Sequence, residues 1–173
     1  MLAWWPALLG VLAGCGGGDD GVNPDGSNGG CSAETDTCTG DSICIAGRCE
    51  AAFGRLYDIT NVQVQLPTTD SSGAAWDIGG GAPDIFVAFV INGTSTVRTP
   101  TTQDQFSTSY AGPFTVQPIG GGSFEAQVFD EDVTVDDLAF ICMATPLTAD
   151  LLRGRLITCN TTGYVVSLRI DPR

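Results

Sequence analysis

Residues 84–99, DIFVAFVINGTSTVRT, contain the clearest structural signal in the sequence. The stretch 85–91 is entirely apolar, which is typical of a buried strand. It is followed by Asn92-Gly93, a dipeptide that favours the two-residue turn of the primed type between antiparallel strands. Residues 94–99 then supply a second strand. This part of the sequence therefore predicts a β-hairpin.

The chain after residue 50 has the same β character throughout. Apolar and polar side chains alternate along 62–66, 124–128 and 164–170, so each of these stretches has one apolar face. Eight strands are predicted, at 55–66, 85–91, 94–99, 113–118, 123–129, 138–143, 155–159 and 163–170. Eight short strands suit an all-β fold, an antiparallel β-sandwich. A single helical turn is predicted at 148–153, where Thr148 is suited to the N-cap.

The ionisable residues exclude several classes of function. The 173-residue chain carries 20 acidic residues against 7 basic ones and has a formal net charge of -13. This charge disfavours binding to nucleic acid, and to anionic lipid without a bridging cation. His is absent and every basic residue is Arg, which excludes Ser-His-Asp catalysis, His-ligated zinc and lysine Schiff bases. A carboxylate pair that cleaves glycosides is the remaining enzyme alternative. We expect a binding module and not an enzyme.

The N-terminal segment has the layout of an export signal. Residues 1–14 hold an apolar run too short to span a bilayer, followed by small residues. The sequence Leu12-Ala13-Gly14-Cys15 resembles the lipobox of bacterial lipoproteins, which implies that Cys15 is a lipid anchor. An ordinary secretory signal is the alternative. With Gly16 after the cysteine, the resemblance implies a location in the bacterial cell envelope, at the outer membrane. Residues 15–30 are interpreted as a Gly/Asp-rich tether.

The cysteines fit an oxidising compartment. Apart from Cys15 the chain has six, an even number that predicts three disulfides. Four lie within 31–50, which resembles the small cysteine-rich modules of secreted proteins, and two lie near the C-terminus. These residues are Cys31, Cys38, Cys44, Cys49, Cys142 and Cys159. Of the three pairings possible in the module, we expect first with third and second with fourth. Zinc is disfavoured because no C-x2-C knuckle is present.

Two clusters of aspartates lie between predicted strands. The loop WDIGGGAPD spans residues 76–84, and the loop DEDVTVDD spans residues 130–137. The candidate metal ligands are Asp77, Asp84, Asp130, Asp132, Asp136 and Asp137. Ca²⁺ takes about six to eight oxygen ligands from carboxylates and carbonyls on flexible loops, so the clusters predict a Ca²⁺ site at one end of the sandwich. Acidic residues that merely solvate the loops are the alternative, and Asp104 is interpreted as a surface residue.

These motifs resemble those of the C2 domain, the Ca²⁺- and phospholipid-binding sandwich of synaptotagmins and protein kinase C. The matches are PDIFV at 83–87, GPF at 112–114 and the D-x-D...D pattern at 130–137, within a resemblance that covers nearly all of 55–173. Ile85 replaces the proline of the family. The resemblance implies the permuted, type II strand order. It also implies a ligand set of Asp77, Asp84, Asp130, Asp132 and Asp137, with Asp136 competing for the last position.

The C2 resemblance implies a membrane-anchored module for Ca²⁺-dependent binding. The partners implied are phospholipid, polysaccharide or protein bridged by the ion, together with the membrane through the lipid anchor. Val133 and Val135 are the possible membrane-contact tips. The domains expected are the signal at 1–14, the tether at 15–30, the cysteine module at 31–50 and the sandwich at 51–173. A metal-free structural or adhesive surface lipoprotein is the alternative.

Overall fold

The computed structural model of the chain describes residues 31–32, 35–77, 80–118, 120–132 and 135–173. The predicted export signal, the tether and Cys15 lie outside the described residues. The strands are β1 (Ser42–Ile45), β2 (Arg48–Ala51), β3 (Tyr57–Gln65), β4 (Ile85–Ile91), β5 (Thr94–Arg98), β6 (Ser107–Tyr110), β7 (Phe114–Val116), β8 (Phe124–Asp130), β9 (Asp137–Ala144), β10 (Leu156–Thr161) and β11 (Tyr164–Pro172). A 3₁₀ helix spans Ala149–Leu152. No helix in these ranges has the length and hydropathy needed to cross a membrane.

Strands β3 to β11 form two antiparallel sheets that enclose one apolar core. One sheet has the order β5-β4-β8-β9. The other has the order β10-β11-β3-β6, with β7 paired to the first residues of β3. The predicted all-β sandwich is confirmed, but the strand count of eight is wrong. Each predicted stretch contains a strand, and β6 was missed because its sequence, STSY, has no alternating apolar face.

The predicted hairpin is confirmed in detail. All seven residues of β4 are buried, because one face packs in the core and the other is covered by side chains of its own sheet. On that outer face Phe86 stacks on Phe129 of β8 with ring centroids 5.0 Å apart, and the Arg98 guanidinium lies 4.7 Å from the Phe86 ring centroid. Asn92 and Gly93 have φ values of 51° and 75°, as a primed turn requires.

Disulfides join the parts of the fold. Cys142 of β9 pairs with Cys159 of β10, so this bridge connects the two sheets. In the cysteine module, the pairs are Cys31 with Cys44 and Cys38 with Cys49. The expected pairing is therefore the one in the structure. The module itself is a two-stranded hairpin of β1 and β2.

The cysteine module is docked on the sandwich. Ile43 of β1 is 1% exposed and belongs to the same buried core as the sandwich strands. Arg153, just after the 3₁₀ helix, donates to the carbonyl oxygens of Cys38 at 2.8 Å and of Ser42 at 3.3 Å. Its guanidinium also lies 3.6 Å from the Asp36 carboxylate. The module and the sandwich thus share both a core and a buried ion pair.

Candidate metal centre

Two loops bring three carboxylates together at one end of the sandwich. Asp77 and Asp84 lie in the β3–β4 loop, and Asp104 lies in the β5–β6 loop. One carboxylate oxygen from each of the three lies within 4.8 Å of the others. Ca²⁺–oxygen distances are about 2.3–2.6 Å, so ligand oxygens on opposite sides of one ion are about 5 Å apart. The three carboxylates are therefore close enough to share an ion.

Asp130, at the end of β8, is buried beside this group. It is 1% exposed. Its Oδ1 accepts the backbone N–H of Asp84 at 2.7 Å, whereas its Oδ2 is buried without a hydrogen-bond partner among the described residues. Burial, together with the negative charges of Asp77, Asp132 and Asp84, raises the pKa of Asp130 to about 6, although the hydrogen bond from Asp84 acts in the opposite direction. An unpartnered buried carboxylate oxygen is costly unless a cation compensates it.

Asp77 lies in the same negative field. Burial raises the pKa of its carboxyl, and the charges of Asp84, Asp132 and Asp104 act in the same direction. The N–H of Gly80 donates to the Asp77 carbonyl at 3.1 Å. A Cβ at position 81 would lie 3.0 Å from Asp77 Oδ2, so glycine at that position leaves room for this carboxylate.

Asp104 joins the cluster through the backbone of its loop. Its N–H donates to Asp84 Oδ1 at 2.8 Å, and the N–H of Gln105 donates to the Pro83 carbonyl at 3.0 Å. Asp104 is exposed, as interpreted from the sequence, and it also belongs to the carboxylate cluster. Sequence patterns could not show the second property. A single aspartate in a polar loop carries no signal, and β6, which sets the direction of that loop, was not predicted.

Asp136 and Asp137 occupy a different position. Both are exposed, and neither is among the charges that raise the pKa of Asp77 or Asp130. Asp137 begins β9 opposite Asp130 and lines a separate cavity with Trp76 and Tyr164. Within the described residues, Asp104 belongs to the carboxylate cluster more clearly than Asp136 or Asp137 does. A ligand role for Asp136 and Asp137 stays a prediction.

The donor set fits Ca²⁺. Carboxylates of three loops supply hard oxygen atoms, and neither His nor a free thiolate occurs among them, which is the ligand chemistry of Ca²⁺ rather than of softer metals. The residues that would hold the ion are Asp77, Asp84, Asp104, Asp130 and Asp132.

Of the two predicted loop tips, Val135 is 72% exposed, and Val133 lies outside the described residues.

Similarity to solved structures agrees with this architecture. No protein-family model and no curated protein matches the sequence. The chain is similar to a solved C2 domain, with a TM-score of 0.53 and 18% identity over 67% of this chain and 96% of the other. The sandwich has a C2-like fold. The C2-like sandwich is also similar to the calcium-bound tandem C2 domains of extended synaptotagmin 2, with a TM-score of 0.51 and 16% identity over 68% of this chain and 45% of that one. For a C2 domain of plant extended synaptotagmin 1 the TM-score is 0.50 and the identity 15%, over 69% and 95% of the two chains.

Proposed function

We propose that the C2-like sandwich binds Ca²⁺ between its β3–β4, β5–β6 and β8–β9 loops. The observation that carries the proposal is Asp130 Oδ2, a buried carboxylate oxygen with no partner among the described residues. The charges that act on this carboxylate are those of three further aspartates. A divalent cation would supply the missing positive charge there. The calcium-bound extended synaptotagmin 2 structure, which has the same fold, adds support.

The bound ion would connect the loops to an anionic partner. Ca²⁺ coordinates up to about eight oxygens, so phosphate or carboxylate oxygens from outside can complete a site made of loop carboxylates. Phospholipid is the partner we favour, because Val135 of the β8–β9 loop and Leu138 at the start of β9 are 72% and 50% exposed and offer apolar surface at that loop. Polysaccharide and protein are the other partners with suitable anionic groups.

The setting proposed for this module is the bacterial cell envelope. The lipobox-like Leu12-Ala13-Gly14-Cys15 supports an acylated N-terminus, and Gly16 supports the outer membrane. Residues 15–30 would then connect the proposed anchor to the cysteine module. We propose a binding module and not an enzyme. We also propose the permuted, type II strand order, which the pairing of the last strand, β11, with β3 supports.

A metal-free structural or adhesive module is the second candidate. Two hydrogen bonds favour it, because Asp130 Oδ1 and Asp84 Oδ1 already brace the loops by accepting backbone N–H groups at 2.7 Å and 2.8 Å. In this case the aspartates would hold loop conformation, and no ion would be needed.

Calorimetric titration of the full chain with Ca²⁺ separates the two candidates. We expect saturable binding that Asp130→Asn weakens by at least about tenfold, in keeping with the loss of a metal ligand. Asp150→Asn, a surface aspartate paired with Arg153, is the matched control and should bind Ca²⁺ as the native protein does. Absence of binding at millimolar Ca²⁺, or equal binding by Asp130→Asn, would support the metal-free module.

Vesicle flotation then tests the partner. Vesicles of phosphatidylglycerol and phosphatidylcholine are expected to retain the chain in Ca²⁺ and to release it in EDTA. For this assay Cys15→Ser removes the proposed acyl anchor, so that only the loops attach the protein. Retention that does not depend on Ca²⁺ would contradict the bridging role.

A further inference from the structure

One edge of the sandwich differs from the others in length and composition. β9 ends its sheet and has eight residues, whereas the edge strands β5, β6 and β10 have five, four and six. After Asp137 the sequence of β9, LAFICMA, contains neither a charged residue nor proline. Natural edge strands are commonly protected by shortness, charge or proline, because their unpaired backbone groups can pair with another strand. β9 is therefore the edge most open to pairing.

The backbone of β9 has an unpaired side. The strand pairs only with β8, and residues 138–144 make no further backbone hydrogen bond to the part of the chain that the structure describes. A bulge at Ala139 interrupts the strand near its start, whereas residues 140–144 pair with 124–128 of β8 without a register shift. This regular part of β9 presents its free backbone groups to another extended strand.

The outer face of β9 carries apolar side chains that contact solvent. Phe140, Cys142 and Ala144 belong to the core or pack against it, so Ile141 and Met143 lie on the opposite face. Met143 is 56% exposed, and Ile141 is partly exposed. Burial of such side chains against a second apolar strand is favourable. Of the five exposed large apolar side chains among the described residues, three lie on β9 or in the loop before it, namely Val135, Leu138 and Met143.

We infer that β9 joins two copies of this chain. The two strands run antiparallel through residues 140–144 about a two-fold axis at Cys142, so that two four-stranded sheets become one continuous sheet. In this register Ile141 of one copy lies opposite Met143 of the other, and the two-fold axis repeats the same pair. β9 is thus complementary to itself, as an isologous interface requires. This property makes a second copy the occupant.

The charge of the chain is compatible with an antiparallel pair. Two copies with a net charge of -13 repel each other wherever their acidic groups approach. Strands rise about 3.4 Å per residue, so this register keeps the two Asp137 residues about 34 Å apart, several times the Debye length of about 8 Å at physiological salt. A parallel pair would place the two carboxylate clusters side by side. The antiparallel dimer presents them at opposite ends.

Sedimentation velocity of the full chain with Cys15→Ser, in EDTA, tests the inference. The substitution removes the proposed acyl anchor, and EDTA makes the result independent of the proposed Ca²⁺ site. We expect a reversible equilibrium in which the fraction of dimer increases with protein concentration. A monomer at every concentration up to millimolar overturns the inference. Growth into species larger than a dimer also overturns it, because open-ended pairing is not two-fold.

Met143→Lys tests whether β9 is the contact. Lysine protects natural edge strands, and here it would oppose Ile141 of the second copy twice in each dimer, so dimerisation should weaken by at least about tenfold. Leu56→Lys is the matched control, because Leu56 is 45% exposed and lies outside β9. It should dimerise as the parent chain does. Undiminished dimerisation of Met143→Lys, or equal weakening in both variants, overturns the assignment.

Hydrogen exchange locates the interface without a substitution. Among residues 140–144, the amides that are not bonded to β8 should exchange more slowly at high than at low protein concentration, since pairing supplies their acceptors. The amides of β5, at the other edge of the same sheet, are the internal control and should exchange equally at both concentrations. A dimer that protects β5, β6 or β10 instead of β9 overturns the assignment.

Discussion

Asp130 Oδ1 accepts the backbone N–H of Asp84 at 2.7 Å, so the end of β8 is joined to the beginning of β4 by a buried carboxylate. The two residues belong to aspartate clusters that are 46 positions apart in sequence. Oδ1 of Asp130 thus stabilises the fold, whereas Oδ2 has no hydrogen-bond partner among the described residues. This division links the stability of the loops to the electrostatics of the candidate metal centre.

Asp130→Asn should change the pH dependence of stability in metal-free protein. The pKa of Asp130 is raised from 3.8 to about 6 in the folded state. Its contribution to stability is therefore fully present below about pH 3.8 and is lost as the pH rises through about 6. Asn does not titrate, so the variant should keep this contribution and melt at a higher temperature than native protein at pH 7. Thermal melts in EDTA between pH 4 and 8 check this, and identical pH profiles would contradict it.

Asp104→Asn and Asp136→Asn should differ in their effect on Ca²⁺ affinity. Asp104 lies with Asp77 and Asp84, whereas Asp136 is exposed and outside the cluster. Both changes remove one exposed negative charge, so each is a matched control for the other. Asp104→Asn should weaken Ca²⁺ binding by about tenfold or more, and Asp136→Asn should change it little. Calorimetry measures both, and the opposite order would restore Asp136 as a ligand.

Arg153→Met should loosen the cysteine module from the sandwich. The Arg153 and Asp36 side chains are 9% and 5% exposed, and removing one partner of a buried ion pair costs about 3–5 kcal/mol. Asp36 also accepts the N–H groups of Cys38 and Cys44, each at 2.9 Å, so its carboxylate is held in place. Urea unfolding measures the loss. Arg173→Met, at a side chain that is 61% exposed, should cost less than about 1 kcal/mol; similar losses in both variants would contradict the prediction.

Replacing Cys142 and Cys159 together by Ala should destabilise the sandwich without changing its fold. Their bridge closes a loop with a sequence separation of 17, which corresponds to about 3 kcal/mol in the chain-entropy model. Because the bridge connects β9 to β10, the edges of the two sheets should become more open to exchange. Hydrogen exchange of β9 and β10 checks this effect, and unchanged protection of both strands would show that packing alone holds the sheets together.

Local sequence patterns predicted those parts of the fold in which one segment decides its own conformation. Asn92-Gly93 favours one turn geometry regardless of its neighbours, and the apolar alternation along residues 164–170 marks a strand with a buried face. β6 lacks both kinds of signal. It is a strand because β3 offers it a partner along residues 62–65.

The composition of the candidate site was decided only in part by local sequence. Asp77, Asp84, Asp130 and Asp132 lie in acidic loops that the sequence marks clearly, but Asp104 joins them from a third loop through an N–H bond to Asp84. Asp137 lies in an equally acidic stretch of sequence, but it lines the neighbouring cavity. Which carboxylates share a site depends on where strands end in space, and spacing along the chain does not contain that information.

The sequence by itself determined the all-β class, the hairpin at residues 84–99, the acidic loops and the presence of three disulfides, because each depends on residue type and short-range order. Tertiary structure alone decided that Arg153 holds the cysteine module, that Asp104 joins the carboxylate cluster, and that Asp130 Oδ2 lacks a partner among the described residues. These features depend on contacts between residues distant in sequence. A side chain becomes buried, and its pKa shifts, only when the sheets pack over such contacts.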